Sequence, residues 1–267
     1  MVLAFFWGSY LLWRNIRLTS FKEDEIFDGL FASMFSSLFF ARLVYVIFNF
    51  DKFGFNLVKF FLINGYPGLS LFGAVLGGLI GLYIYFSYKK ISFLDTIDYF
   101  VAPFFLALAF GKLGSFFSGS EVGTKTSFFL SVKYQGFDGF RHVTPLYETL
   151  VFAFAIYLTW QLLFLIRKQR LKHGFVLYFG LWYLAFVYFL FDKMKQGHLY
   201  FMGQSVNGLI SVIVLLTLSC YFIYYFRSSI WYSFKLYGNK AFSKITKGFW
   251  RPSFKRSKKT PGTDHKA

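Results

Sequence analysis

Six predominantly apolar runs, near residues 26–49, 68–88, 94–118, 145–166, 174–193 and 204–226, dominate this sequence. A helix needs roughly 20 apolar residues to cross the hydrocarbon core of a bilayer. Each run meets that length, and a shorter one at 1–13 opens the chain. The runs predict an all-α, polytopic membrane bundle of about seven transmembrane helices. The first span is expected to be abbreviated, or to start upstream of residue 1. No cleavable signal peptide is read there, because the basic residues follow the apolar run. Composition agrees: 56% of residues are hydrophobic and 15% charged, outside the usual range for a soluble domain.

The net charge of +17 needs mapping before it is interpreted. Eleven of the 29 basic residues lie between Arg227 and Lys266, and most others sit in short loops. That distribution suits a membrane surface and argues against nucleic acid as a partner. One set of alternating loops, with the tail, carries 20 basic residues and the other set carries seven. The basic set is expected to be cytoplasmic. The N-terminus would then lie outside and the C-terminus in the cytoplasm. Residues 1–226 form the expected bundle, with a long outer-face loop at 119–144. Residues 227–267 form a basic cytoplasmic tail, expected to be partly disordered and to lie on anionic membrane lipid. The stretch 53–63 interleaves Phe, Leu and Lys and reads as an interfacial helix. The single cysteine, Cys220, excludes an internal disulfide and reads as a packing residue. No metal-ligand pattern is visible, and no internal repeat of the kind many transporters carry.

Ionisable groups inside spans are the sequence's functional signal. Arg42 sits in FFARLVYV and Lys112 in LAFGKLGSFFSGSEVG. Lys112, Ser115 and Gly119 share one helix face. A cation beside Gly111, Gly114, Ser115 and Ser118 makes a candidate phosphate seat. Gly73, Gly77 and Gly81 recur every fourth residue and predict a close-packing face. RHVTPLYE gathers Arg141, His142, Tyr147 and Glu148 at the mouth of the next span. His142 can titrate near neutrality. Glu148 could be a buried carboxylate, a helix-dipole partner or a base. All these groups are expected near the outer leaflet, where a basic, glycine-lined pocket would suit an anionic lipid headgroup.

Taken in order, these motifs resemble the prolipoprotein diacylglyceryl transferase family. ARLVYV resembles its G-R-x-G-Y-V, keeping Arg42 and Tyr45. GLSLFGAVLGGLIG resembles its G-x-S-F-H-G-G-L-I-G. Residues 111–123 resemble its signature G-R-x-G-N-F-x-N-G-E-x-x-G, and RHVTPLYE resembles R-H-P-S-Q-L-Y-E. Met202, Gly203 and Gln204 match its M-G-Q. The resemblance covers about residues 8–226. It implies a seven-span enzyme of the bacterial cytoplasmic membrane. Such an enzyme moves diacylglyceryl from phosphatidylglycerol to the thiol of a prolipoprotein lipobox cysteine, releasing glycerol 1-phosphate without metal or cofactor. The implied substrate-binding residues are Lys112, Arg42, Tyr45, Ser115, Ser118, Gly119, Glu121 and Gly123. His142, Glu148 and Tyr147 are the catalytic candidates.

The chain departs from the pattern at several positions. Phe72 stands at the family's histidine, Lys112 at its signature arginine and Ser115 at its asparagine. Glu121 is displaced by one position, and Ala185 and Phe189 stand where its sixth span carries arginine and glutamate. Two other readings therefore stand beside the enzyme: a family member that binds lipid or lipoprotein without catalysis, and a small transporter or channel.

Overall fold

In the computed structural model, residues 2–196, 200–201 and 204–249 are described. Nine helices lie among them: α1 (Val2–Ile16), α2 (Glu23–Phe48), α3 (Phe50–Phe53), α4 (Leu57–Phe61), α5 (Leu71–Tyr88), α6 (Phe93–Ser118), α7 (Thr144–Arg167), α8 (Phe175–Phe191) and α9 (Val206–Phe249). Four two-residue strands, β1 (Ser131–Val132), β2 (Arg141–His142), β3 (Tyr200–Phe201) and β4 (Gln204–Ser205), and a 3-10 turn at Asp192–Met194 complete the order. Six helices are long and apolar enough to cross a membrane: α2, α5, α6, α7, α8 and the Val206–Arg227 part of α9. The chain is a multi-pass membrane protein. The seventh expected span, α1, is a 15-residue helix, about 22 Å long at 1.5 Å per residue. It packs along α6, where Gly8 admits the Pro103 carbonyl and the Ala107 methyl.

Helix α7 shows why the bundle belongs in lipid. Phe152, Ala155, Thr159 and Leu163 recur at helical spacing and are buried. Leu150, Phe154, Tyr157, Trp160 and Phe164 make a second apolar stripe that is exposed. A surface helix in water has one apolar face; two such faces require an apolar solvent.

The most extensive helix contact joins α2 and α5, through the expected glycine stripe. A Cβ at Gly73 would lie 2.7 Å from the Phe40 carbonyl oxygen, and one at Gly77 2.6 Å from that of Ser36. Ser36 Oγ donates to the Gly77 carbonyl at 2.7 Å. At the end of the bundle away from Lys112, Asp98 of α6 accepts from the Gly174 and Leu177 amides at 2.6 and 2.9 Å. A carboxylate from one span thus satisfies the open N–H groups that begin another. Arg167 Nη2 donates to the Asn15 carbonyl there at 3.3 Å, so the ends of α1 and α7 meet.

Two expectations change. The single interfacial helix over 53–63 is instead two short helices. Gly54 at φ +56° breaks the run, and the Asn56 side chain caps α4 by accepting from Val58 and Lys59. Cys220 is exposed rather than packed. The basic segment after residue 226 continues α9 as helix to Phe249, and residues 250–267 lie outside the described residues. Among the described residues, those up to Leu218 form one compact unit and those from Ser219 a second.

Candidate active site

Lys112 sits six residues before the end of α6, inside the bundle, with 11% of its side chain exposed. An unpaired ammonium there would be costly, so its partners define the site. Its Nζ donates to both oxygens of Glu121 at 2.7 Å. It also lies 2.9 Å from Glu148 Oε2. Glu148 belongs to the second turn of α7, whose start is fixed by Pro145 in the first turn. Its side chain is fully buried. The other Glu148 oxygen meets Nζ of Lys195. Among the described residues neither carboxylate oxygen has a hydrogen-bond partner of good geometry, so both contacts are described as ion pairs. The Tyr188 ring of α8 lies beneath both cations, 5.7 Å from Lys112 Nζ and 4.3 Å from Lys195 Nζ. Phe72, at the first turn of α5, packs edge-on against Tyr188 at 5.9 Å.

A small backbone sheet covers this cluster. After α6 ends on Gly119 in the left-handed region, φ +63°, the chain turns so that Glu121 reaches back to Lys112. Residues 122–125 then run extended between two neighbours. On one side, the Thr124 amide donates to the Met194 carbonyl at 2.9 Å and Gly123 bridges Lys195. On the other, the His142 amide donates to the Thr124 carbonyl and Lys125 bridges Arg141. β2 continues outward by pairing with β1. Gly123 has no room for a side chain, since a Cβ would lie 2.3 Å from the His142 carbonyl oxygen. Arg141 Nη1 donates to the Gly123 carbonyl at 3.2 Å.

The structure brings Lys112, Glu121 and Glu148 together directly, and Gly119 and Gly123 shape the backbone around them. His142 and Tyr147 lie beside them in an aromatic group. The His142 ring is 6.2 Å from Tyr147 and 6.2 Å from Phe128. His142 Nδ1 is buried without a hydrogen-bond partner among the described residues. Tyr147 donates its hydroxyl to the Leu130 carbonyl, which ties the outer loop to α7. Ser118 Oγ is engaged locally, with the Ser115 carbonyl at 3.2 Å and Ser120 Oγ at 3.1 Å. An added Cβ at Gly111 or Gly114 would meet nothing within 4 Å, so α6 is open on the faces these two glycines present.

Arg42 has other partners. It is buried, but its guanidinium donates to the carbonyls of Lys59, Phe60, Tyr66 and Gly68 at 2.7–2.9 Å. It stacks over Phe53 at 4.9 Å, and Tyr45 packs against Phe53 and over Gly68. Four backbone acceptors use the fork that a lipid phosphate would need. Arg42 and Tyr45 fold the 49–70 segment rather than joining the Lys112 cluster. Met202 and Gly203 lie outside the described residues. Lys195 and Tyr188 are the site residues that sequence reasoning missed.

Comparison with known proteins agrees with this architecture. The family model for prolipoprotein diacylglyceryl transferase matches residues 1–225. A phosphatidylglycerol–prolipoprotein diacylglyceryl transferase of Clostridium botulinum (strain Langeland) is 32% identical over 229 residues, covering 81% of this chain and 86% of its own length. The enzymes of that name from Clostridium novyi and Clostridioides difficile are 27% and 29% identical. They cover 77% and 64% of this chain and 81% and 66% of their own lengths. With its spans, its buried lysine–glutamate cluster and a match across its whole membrane region, the chain belongs to the prolipoprotein diacylglyceryl transferase family.

Proposed function

We propose that this protein transfers diacylglyceryl from phosphatidylglycerol to the lipobox cysteine of a prolipoprotein, at the outer face of a bacterial cytoplasmic membrane. The observation that carries the reading is the buried Lys112 ammonium, held by Glu121 and Glu148 where α6 ends and α7 begins. The orientation rests on the excess of basic residues in the loops at the opposite end.

The reaction forms a C–S bond at a glycerol carbon and breaks the C–O bond to phosphate. The phosphodiester enters with one negative charge and leaves as a glycerol phosphate monoester with a second. Lys112 faces that developing charge in a site closed by the covering sheet, where a fixed cation acts most strongly. The thiol must lose its proton to become nucleophilic. Glu148 takes that proton, and His142 is the second titratable group at hand. Phe72 can take no proton, which favours a second reading in which the chain binds the lipid without turnover.

In a host depleted of its own transferase, this chain should restore lipoprotein maturation and its Lys112→Ala variant should not. Equal restoration by both removes Lys112 from the mechanism. Binding to phosphatidylglycerol vesicles with no maturation supports the second reading instead.

A further inference from the structure

We propose that Lys195 is a second catalytic cation, which contacts the departing phosphate together with Lys112. This rests on the transferase reading above and names a residue that the family motifs do not mark. The geometry carries it. Lys112 and Lys195 approach opposite oxygens of one carboxylate, Glu148, over the same Tyr188 ring. Two ammonium groups already converge on one two-oxygen anion. A phosphate presenting two oxygens to the same groups needs no new arrangement of the cations.

Charge bookkeeping supplies the reason for a pair. Cleavage of the C–O bond turns a phosphate monoanion into a dianion, and the electron pair of that bond stays on the phosphate oxygen. Glu121 and Glu148 offset the two ammonium charges before reaction; once Glu148 holds the thiol's proton, one lysine charge is freed to match the charge that cleavage creates. Binding the second charge only in the transition state and product is what accelerates the step.

Lys195 is also held for the task. Its backbone bridges Gly123, and the Gln196 amide donates to the Val122 carbonyl at 3.3 Å. The segment after α8 is thereby fixed to the loop that carries Glu121. The charged and titratable groups that face Lys195 include Glu148 from α7, Lys112 from α6, Glu121 from the loop and Tyr188 from α8. Burial pushes the Lys195 ammonium below the ordinary lysine range, and the nearby Lys112 adds to this, against the opposing pull of Glu148 and Glu121. A cation shifted down loses its charge as pH rises through the lowered value, so activity should fall on the alkaline side earlier than an ordinary lysine would dictate.

The test compares wild type, Lys195→Ala and Lys195→Arg, purified in phosphatidylglycerol-containing micelles with a lipobox peptide. Thioether formation is followed across pH. Lys195→Ala should lose about 10²-fold or more in kcat, the size expected for one group that stabilises developing negative charge. Lys195→Arg should keep much of the activity and move the alkaline limb upward, because a guanidinium stays charged. A merely structural lysine would leave that limb in place. Wild-type kcat in Lys195→Ala, or an unmoved limb in Lys195→Arg, overturns the proposal while leaving the transferase reading standing. No thioether from the wild-type protein at any pH overturns both.

Discussion

Arg42 separates two accounts of the same residue. As a lipid ligand, its loss would weaken substrate binding and leave the fold alone. As a scaffold residue, its loss would destabilise the protein. The structure gives it four donations to backbone carbonyls, at Lys59, Phe60, Tyr66 and Gly68, from a position only 2% exposed. In Arg42→Ala those carbonyls lose their partner at about 1 kcal/mol each, the low end for an orphaned acceptor. The expected loss is about 4 kcal/mol. For a bundle of this size that corresponds to a melting-temperature drop on the order of 10 °C. Arg42→Lys should fall between, because an ammonium has three donors and cannot span the fork. The assay is thermal unfolding in detergent by intrinsic fluorescence, paired with limited proteolysis of the 49–70 segment. An Arg42→Ala protein that melts like wild type but has a raised KM for phosphatidylglycerol would refute the scaffold assignment.

Gly77 and Gly111 predict opposite outcomes for the same change. Gly77→Ala forces a Cβ to 2.5 Å from Phe40 Cβ and should cost about 1–3 kcal/mol by overpacking, read as a lower melting temperature. Gly111→Ala meets nothing within 4 Å and should leave melting unchanged. Gly123→Ala collides with the His142 carbonyl at 2.3 Å and should abolish transfer while the helical far-ultraviolet spectrum stays at its wild-type value, because the damage is confined to the covering sheet.

The spans were legible because a membrane helix is written locally, as a run of apolar residues long enough to cross. Lys112, Glu121 and Glu148 were legible because charge within or beside such a run is costly and therefore conspicuous. Arg42 was conspicuous for the same reason, but its carbonyl acceptors lie 17 to 26 residues away, and nothing in FFARLVYV shows where the chain returns. Lys195 was hidden for a related reason. It follows an apolar run and reads as one more loop cation, while its inward path depends on a backbone bridge to Gly123, 72 residues earlier. The one available signal was a lysine pair, Lys193 and Lys195, directly after a span in loops otherwise poor in basic residues. The break at Gly54 was visible in composition but lay within a segment whose amphipathic pattern suggested a continuous helix.

The most direct test of the account is mass spectrometry of a lipobox peptide incubated with the purified protein and phosphatidylglycerol. A diacylglyceryl adduct on the cysteine, with release of glycerol phosphate, is the result expected, absent when the peptide cysteine is replaced by serine. Intact peptide after prolonged incubation, with the protein folded and bound to phosphatidylglycerol, would contradict it.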